Sequence, residues 1–285
     1  MIVAVLGTGT MGQGIAQLAA TSGFETRVFD VDPARAKAAV DAIGGQLDKL
    51  VSKGKLDPDG KTRALSLLSV AKDLHAACAA VDFVIESVPE KMDVKVDIFR
   101  HVKEAAPTTA LLGSNTSSLS ITELGAKSGA AERLVGLHFF NPPPVMELLE
   151  VVRGLSTSQA TVDRALSLAA SLKKTPIVVN DVPGFASSRL GVILGAEAIR
   201  MLETGVASVK DIDRAMELGY RHPMGPLKLT DLVGLDVRLA ILEHLHREIG
   251  EQFRPPVLLR KMVRAGKLGK KTGEGFYVWK DGQPV

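Results

Sequence analysis

His138 and Glu150 bracket the segment His138-Phe139-Phe140-Asn141-Pro142-Pro143-Pro144-Val145-Met146-Glu147-Leu148-Leu149-Glu150. An imidazole can take up a hydroxyl proton at neutral pH, and a carboxylate at hydrogen-bond distance fixes its tautomer and stabilises the imidazolium. Glu147 and Glu150 both qualify as that carboxylate, and nothing in the local sequence chooses between them. On its own, a histidine ahead of Phe139-Phe140 reads as a packed structural residue. Its interest rises because the same chain opens with a loop suited to a cofactor that takes a hydride. A base, an orienting acid and a hydride acceptor together describe alcohol oxidation.

That loop is Gly7-Thr8-Gly9-Thr10-Met11-Gly12, directly after the apolar run Ile2 to Leu6 and directly before a helical pattern over Gln13 to Ala20. Gly7 permits a tight turn, Gly9 lets the backbone approach a pyrophosphate, and Gly12 allows close packing of helix on strand; the helix N-terminus faces the anion. Asp30, at the end of the next strand, can accept both ribose hydroxyls of NAD and would repel a 2′-phosphate. Arg35 nearby weakens that exclusion of NADP. A third candidate group is Ser114-Asn115-Thr116-Ser117-Ser118, where Asn115 and Ser117 follow an apolar run at the carboxyl end of a strand, the edge at which open parallel sheets bind ligands. A polar cluster after a strand is also an ordinary loop or helix cap.

The elements that must position these residues are legible as alternating short apolar runs and longer helical patterns. Strands are expected at Ile2 to Leu6, Thr26 to Phe29, Phe83 to Glu86 and Ala110 to Ser114, with further extended segments at Leu134 to Leu137, Leu148 to Val152 and Pro176 to Val179. The stretch 33–68 is too long for one crossover helix and is broken by Gly54 and Asp57-Pro58-Asp59-Gly60, which predicts a protruding helical hairpin. After Asp181-Val182-Pro183-Gly184 the strand pattern stops and helices punctuated by glycine and proline follow. The expected fold is therefore α/β: a Rossmann-type doubly wound sheet over residues 1–182, followed by a smaller all-helical domain over residues 183–285.

Composition narrows the partners. With 285 residues, 46% of them hydrophobic, the chain can bury a sizeable core. Net charge is +3, with Lys and Arg scattered among acids, so no basic face for nucleic acid is expected. The first apolar run is cut short by Gly7, Gly9, Gly12 and Gly14, which fits a strand and neither a signal peptide nor a membrane span. Cys78 is the only cysteine; it excludes an internal disulfide, fits a reducing, cytoplasmic compartment, and reads as a small buried helix residue. No metal site is expected: His244 and His246 face different directions on a helix, and His75 and Cys78 lack further ligands. His222, before Pro223, reads as a turn residue, and Lys267 to Lys271 as a solvated loop.

Taken along the chain, these motifs resemble the L-3-hydroxyacyl-CoA dehydrogenases, including the 3-hydroxybutyryl-CoA dehydrogenases. The markers are Gly7 to Gly12, Ser114 to Ser118, His138 to Glu150, Asp181-Val182-Pro183-Gly184-Phe185, His222-Pro223-Met224-Gly225-Pro226, and Gly266-Lys267-Leu268-Gly269-Lys270-Lys271-Thr272-Gly273-Glu274-Gly275-Phe276-Tyr277. The resemblance implies His138 as general base with Glu150 as its partner, Ser117 contacting the reacting oxygen and the nicotinamide side, and Asn115 beside it. It implies Glu90, Lys95, Asn141 and Lys271 around the cofactor, and Lys53, in the hairpin, on a coenzyme A phosphate. Two positions depart from the family pattern. Ser188 stands where an active-site asparagine is expected, and a hydroxyl replaces only part of an amide's hydrogen bonding; Gln46 stands where a serine near coenzyme A is expected.

The reading that follows is reversible NAD-dependent oxidation of an acyl-CoA thioester, an L-3-hydroxyacyl-CoA, to the 3-ketoacyl-CoA, as in fatty-acid β-oxidation, with His138 as acid/base, Ser117 holding the oxygen and Ser188 at the substrate. A homodimer through the helical domain is implied by the resemblance. The alternatives are a sugar-acid or hydroxy-acid dehydrogenase, which would have no use for Lys53 and the hairpin, and a non-catalytic dinucleotide-binding protein, in which a broken His138/Glu150 pair would be expected.

Overall fold

Val3, Ala4, Val5 and Leu6 are wholly buried, as expected for a strand covered on both faces by helices, and the first compact unit is built around them. The computed structural model describes residues 1–285 and divides into two compact units, Met1–Val182 and Pro183–Val285. In the first, strands and helices alternate: β1 (Ile2–Leu6), α1 (Thr10–Thr21), β2 (Glu25–Phe29), α2 (Pro33–Ser52), α3 (Pro58–Ser66), β3 (Leu68–Val70), α4 (Leu74–Cys78), β4 (Phe83–Glu86), α5 (Met92–Ala105), β5 (Leu111–Ser114), α6 (Ile121–Ser128), β6 (Leu134–Phe139), β7 (Leu148–Arg153), α7 (Gln159–Ser171) and β8 (Thr175–Asn180).

The eight strands form one sheet in the order β3-β2-β1-β4-β5-β6-β7-β8. Its first six neighbours run parallel; β7 is antiparallel to β6, and β8 is parallel to β7. Strand order reverses between β1 and β4, and such a crevice, at the carboxyl ends of the strands, is where open sheets take ligands. The strand β3 was not anticipated: three residues, mostly exposed, carry too little apolar pattern to register. The helical hairpin of α2 and α3 is present. Asp32 and Asp57 cap the two helices, each ahead of a proline at the helix start, where proline's missing N–H is harmless.

The second unit comprises α8 (Ser187–Glu203), α9 (Val209–Gly219), α10 (Pro226–Val233), α11 (Leu235–Glu248) and α12 (Val257–Arg264). Its core gathers Val192, Ala196, Ile199, Ile212, Leu227, Leu242, Leu245 and Leu259. It is not purely helical, because β9 (Trp279–Lys280) and β10 (Gln283–Pro284) close a short antiparallel hairpin at the end of the chain. Two buried aspartates organise this tail. Asp231 accepts the backbone N–H groups of Phe276 and Tyr277 and the indole N–H of Trp279, while Asp213 accepts those of Leu227 and Lys228 and the hydroxyl of Tyr277. Burial raises the Asp231 carboxyl above its ordinary value despite these donors. The sequence motifs ending at Tyr277 thus have a structural use within this unit. No helix is long and apolar enough to cross a membrane.

Candidate active site

The glycine loop turns between β1 and α1 with Gly7 at φ 92°. A Cβ at Gly7 would lie 2.6 Å from the Ser87 carbonyl oxygen, and one at Gly12 1.9 Å from the Gly7 oxygen, so both positions require glycine for close approach. Around Gly9 nothing lies within 4 Å of an added Cβ, which leaves open space over the loop. Helix α1 begins at Thr10, earlier than the sequence pattern indicated, with no acidic residue in its first turn. Its positive end therefore remains available to an anion. These features fit a dinucleotide pyrophosphate. Gly14 has a use the motif did not reveal: a Cβ there would meet Pro143 at 2.6 Å, so its absence seats the loop between β6 and β7 on α1.

Asp30 is more committed than expected. One carboxylate oxygen accepts both the backbone N–H (2.9 Å) and the hydroxyl (2.6 Å) of Thr8, and the other accepts the Asp32 N–H. Arg35 stands 3.9 Å away. Burial alone would raise this carboxyl, but the Thr8 and Asp32 hydrogen bonds, with the Arg35 charge, hold it below the ordinary value. Asp30 thus braces the glycine loop, and only its remaining lone pairs are open to further donors.

Beyond β4 and β5 lies a network that only folding assembles. Lys95, on α5, is wholly buried, 2.6 Å from Glu86 and 3.3 Å from Glu90. Glu86, the last residue of β4, also accepts the Ser114 hydroxyl at 2.6 Å and the Val88 N–H at 2.7 Å. Burial pushes the Glu86 carboxyl up, partly offset by Lys95. Glu90 in turn accepts the Thr116 hydroxyl (2.5 Å), the Ser117 N–H (3.0 Å) and the Ser118 hydroxyl (3.3 Å). Lys95 is thus sealed behind Glu90, with no surface of its own, and Glu90 shapes the loop that presents exposed Ser117. Glu86 was missed in the sequence; its signal was an acid closing the otherwise apolar Phe83-Val84-Ile85 run.

Asn115 ties three strand ends together. Its amide donates to the Ser87 hydroxyl at 3.3 Å, and its oxygen accepts the Phe139 N–H at 3.1 Å. The next residue back on β6 is His138, and the antiparallel register of β6 and β7 sets His138 directly opposite Glu150. His138 Nδ1 lies 2.6 Å from Glu150 Oε2. A carboxylate only accepts, so Nδ1 carries the proton and Nε2 is the basic nitrogen. Glu147 precedes β7 and is exposed. The open choice between the two glutamates is thereby decided by register.

Asn141 is exposed in the turn after β6. Lys53 is exposed at the end of α2, and Gln46, Lys49 and Lys53 recur at helical spacing on its solvent face. In the second unit, Ser188 lies in the first turn of α8. Lys271, expected near the cofactor, donates to both oxygens of Asp236, at 2.5 and 2.6 Å. No group of three or more His, Cys, Asp or Glu side chains is arranged to hold a metal.

Comparison with known proteins agrees over nearly the whole chain. The model of the 3-hydroxyacyl-CoA dehydrogenase NAD binding domain matches residues 2–182, and that of the 3-hydroxyacyl-CoA dehydrogenase C-terminal domain matches residues 184–279. A probable 3-hydroxybutyryl-CoA dehydrogenase of Bacillus subtilis is 44% identical, covering 98% of this chain and 97% of that protein. A 3-hydroxyadipyl-CoA dehydrogenase of Escherichia coli is 41% identical over 98% of this chain, which spans 59% of it. The crystal structure of (S)-3-hydroxybutyryl-CoA dehydrogenase from Ralstonia eutropha superposes with a TM-score of 0.94 at 41% identity, covering 98% of this chain and 99% of that one. With the sheet order, the glycine loop and the His138–Glu150 pair in place, the chain belongs to the 3-hydroxyacyl-CoA dehydrogenase family.

Proposed function

We propose that this protein catalyses the reversible NAD-dependent oxidation of L-3-hydroxyacyl-CoA thioesters, 3-hydroxybutyryl-CoA among them, with His138 as the general acid/base. The observation that carries this reading is the 2.6 Å contact between His138 and Glu150 across β6 and β7, at the sheet edge that also bears the glycine loop. His138 Nε2 takes the C3 hydroxyl proton, and Glu150, at Nδ1, stabilises the imidazolium that results. Bound NAD supplies the acceptor for the hydride leaving C3. Gly7 to Gly12, with Thr8, Thr10 and Met11, hold the pyrophosphate; Asp30 takes a ribose hydroxyl, and Glu90, kept in place by Lys95, presents Ser117 to the reacting oxygen.

Asn115 fixes the spacing between Ser87 and β6, and Asn141 borders the same edge. Lys53 receives a coenzyme A phosphate at the hairpin, Ser188 faces the acyl group, and Lys271, paired with Asp236, serves the cofactor. Residues 1–182 bind the dinucleotide, and residues 183–285 serve substrate and pairing of subunits. Support for a homodimer comes from half-exposed Leu229, Leu232, Val233 and Val237; a monomer in sedimentation at micromolar concentration would remove it. A cytoplasmic enzyme of β-oxidation chemistry completes the reading.

The test is NADH oxidation with acetoacetyl-CoA, with longer 3-ketoacyl-CoA esters and with free keto acids, repeated with NADPH. Turnover confined to the thioesters and favouring NADH is expected. Turnover of the free acids alone would replace the reading with a hydroxy-acid dehydrogenase.

A further inference from the structure

The turn between β6 and β7 spans residues 140–147, longer than the roughly two to five residues of common hairpins. A turn of that length does not by itself set strand register, and a slip of one residue would carry Glu150 away from His138 and onto the other face of the sheet. Most of the turn is also uncovered: Asn141, Pro142, Val145, Met146 and Glu147 are exposed, and Pro143 alone is buried. Its two arms must therefore be held from outside the hairpin.

Lys174, the residue ahead of β8, reaches into it. Its ammonium donates to the Pro143 carbonyl at 2.6 Å and to the Met146 carbonyl at 2.8 Å, so one group joins the arm leaving β6 to the arm entering β7. The residue is only 9% exposed, and burial lowers the ammonium below its ordinary value, with Glu147 partly opposing. Taking a charge this far out of water is costly, and the two carbonyl bonds offset that cost only while the turn keeps this shape. The base of the side chain is fixed as well: the Lys174 N–H donates to the Ala169 carbonyl in the last turn of α7, and the Thr175 N–H to the Glu147 carbonyl. On its other side Pro143 rests on α1, where a Cβ at Gly14 would come within 2.6 Å of the proline ring. We propose that Lys174 is a positioning residue: by bridging Pro143 and Met146 it holds the turn on α1, and so keeps His138 and Glu150 in register and in place against the helix that follows the glycine loop. It acts through the turn rather than on the reacting atoms, and its kinetic consequences rest on the acid/base reading of His138 above.

The experiment uses the full chain with NADH and acetoacetyl-CoA. In Lys174→Met, kcat is expected to fall by about 10- to 100-fold, the scale of a misplacement of about 1 Å, while KM and the Kd for NADH in fluorescence titration stay nearly unchanged. Lys174→Arg, which keeps a charged donor, should recover part of the loss. Gly14→Ala displaces the same turn from the side of α1, so the two effects on kcat should be far from additive in the double variant. Without any ligand, the His138 Nδ1 proton shared with Glu150 should give a downfield NMR resonance in the unaltered protein that is lost or broadened in Lys174→Met. An unchanged kcat, a loss that vanishes once corrected for the folded fraction, or additive losses in the double variant overturns the proposal. So does a fall in NADH affinity matching the fall in kcat, which would make Lys174 part of the cofactor site. Where Lys174→Met does not fold, Pro143→Gly, which unseats the turn from α1, must show the same split between kcat and Kd, and its absence overturns the proposal. No turnover of any acyl-CoA by the unaltered protein would sink the functional reading instead; the His138 resonance then decides alone, and one that persists unperturbed in Lys174→Met overturns the positioning role.

Discussion

In the first unit the Lys95 ammonium, wholly buried, lies 2.6 Å from Glu86 and 3.3 Å from Glu90, whereas in the second the Arg238 guanidinium, 7% exposed, has no acid beside it. The first cation is part of a finished device. Its charge is balanced where it stands, and the surplus acceptor capacity of Glu90 reaches the loop carrying Ser117. The second is left with its electrostatic cost unmet within its own unit. Burial of a charge is thus no guide to its role until its partners are counted: paired within the fold, it stiffens a site, and unpaired, it leaves a desolvation cost unmet.

Substituting each cation by methionine tests this contrast most severely. Lys95→Met strands Glu86 and should destabilise the protein by about 3–5 kcal/mol, while Arg238→Met, which strands nothing, should be neutral or stabilising in denaturant titrations without substrate. Equal losses in the two variants would break the comparison. His138→Ala removes the proton acceptor from the completed first-unit site and should lower turnover by roughly 100-fold or more, with NADH binding in fluorescence titration nearly intact; near-normal turnover would take His138 out of the mechanism. Glu150→Gln should cost roughly 100-fold in kcat, because an amide no longer fixes the imidazole tautomer, against little change in Glu147→Gln, because only Glu150 of the two meets the imidazole.

Asp30 extends the contrast to an anion paired in place. Its folded carboxyl is held below the ordinary value, so the stability it adds is fully present above its unfolded value, about 4, and is lost as pH falls through the lower folded one. The stability gap between the protein and Asp30→Ala, about 1 kcal/mol at neutral pH, should therefore close below pH about 4; a gap that widens on acidification contradicts the pairing. Cys78 has the smallest effect. Burial pushes its thiol up to about 12, with Arg27 only partly opposing, so it stays uncharged and the native protein should resist alkylation at pH about 8 until unfolded.

How far the site could be read in advance depended on whether its logic was local. The loop Gly7 to Gly12 carries its requirements in consecutive residues, because the close approaches at Gly7 and Gly12 exclude side chains whatever surrounds them. The strands around it are legible for the same reason: runs such as Ile2 to Leu6 are apolar at every position only when both faces are covered. Short, half-exposed β3 has no such signature. Asp30 was visible as an acid after β2, but its use of Thr8 was not, since that contact depends on how two strand ends meet.

What the sequence by itself determined was the alternation of elements, the glycine loop, the hairpin, and the pairing of a histidine with one of two glutamates. Tertiary structure decided which glutamate, because the strand register places Glu150 opposite His138 while Glu147 lies outside the strand and exposed. It also decided which charges are balanced. Glu86, Glu90 and Lys95 converge from the end of β4, the loop beyond it and α5, whereas Arg238 is brought against Gly191 with no acid to meet it. Charge balance is a property of distances between residues far apart in the chain, and those distances exist only once the chain has folded.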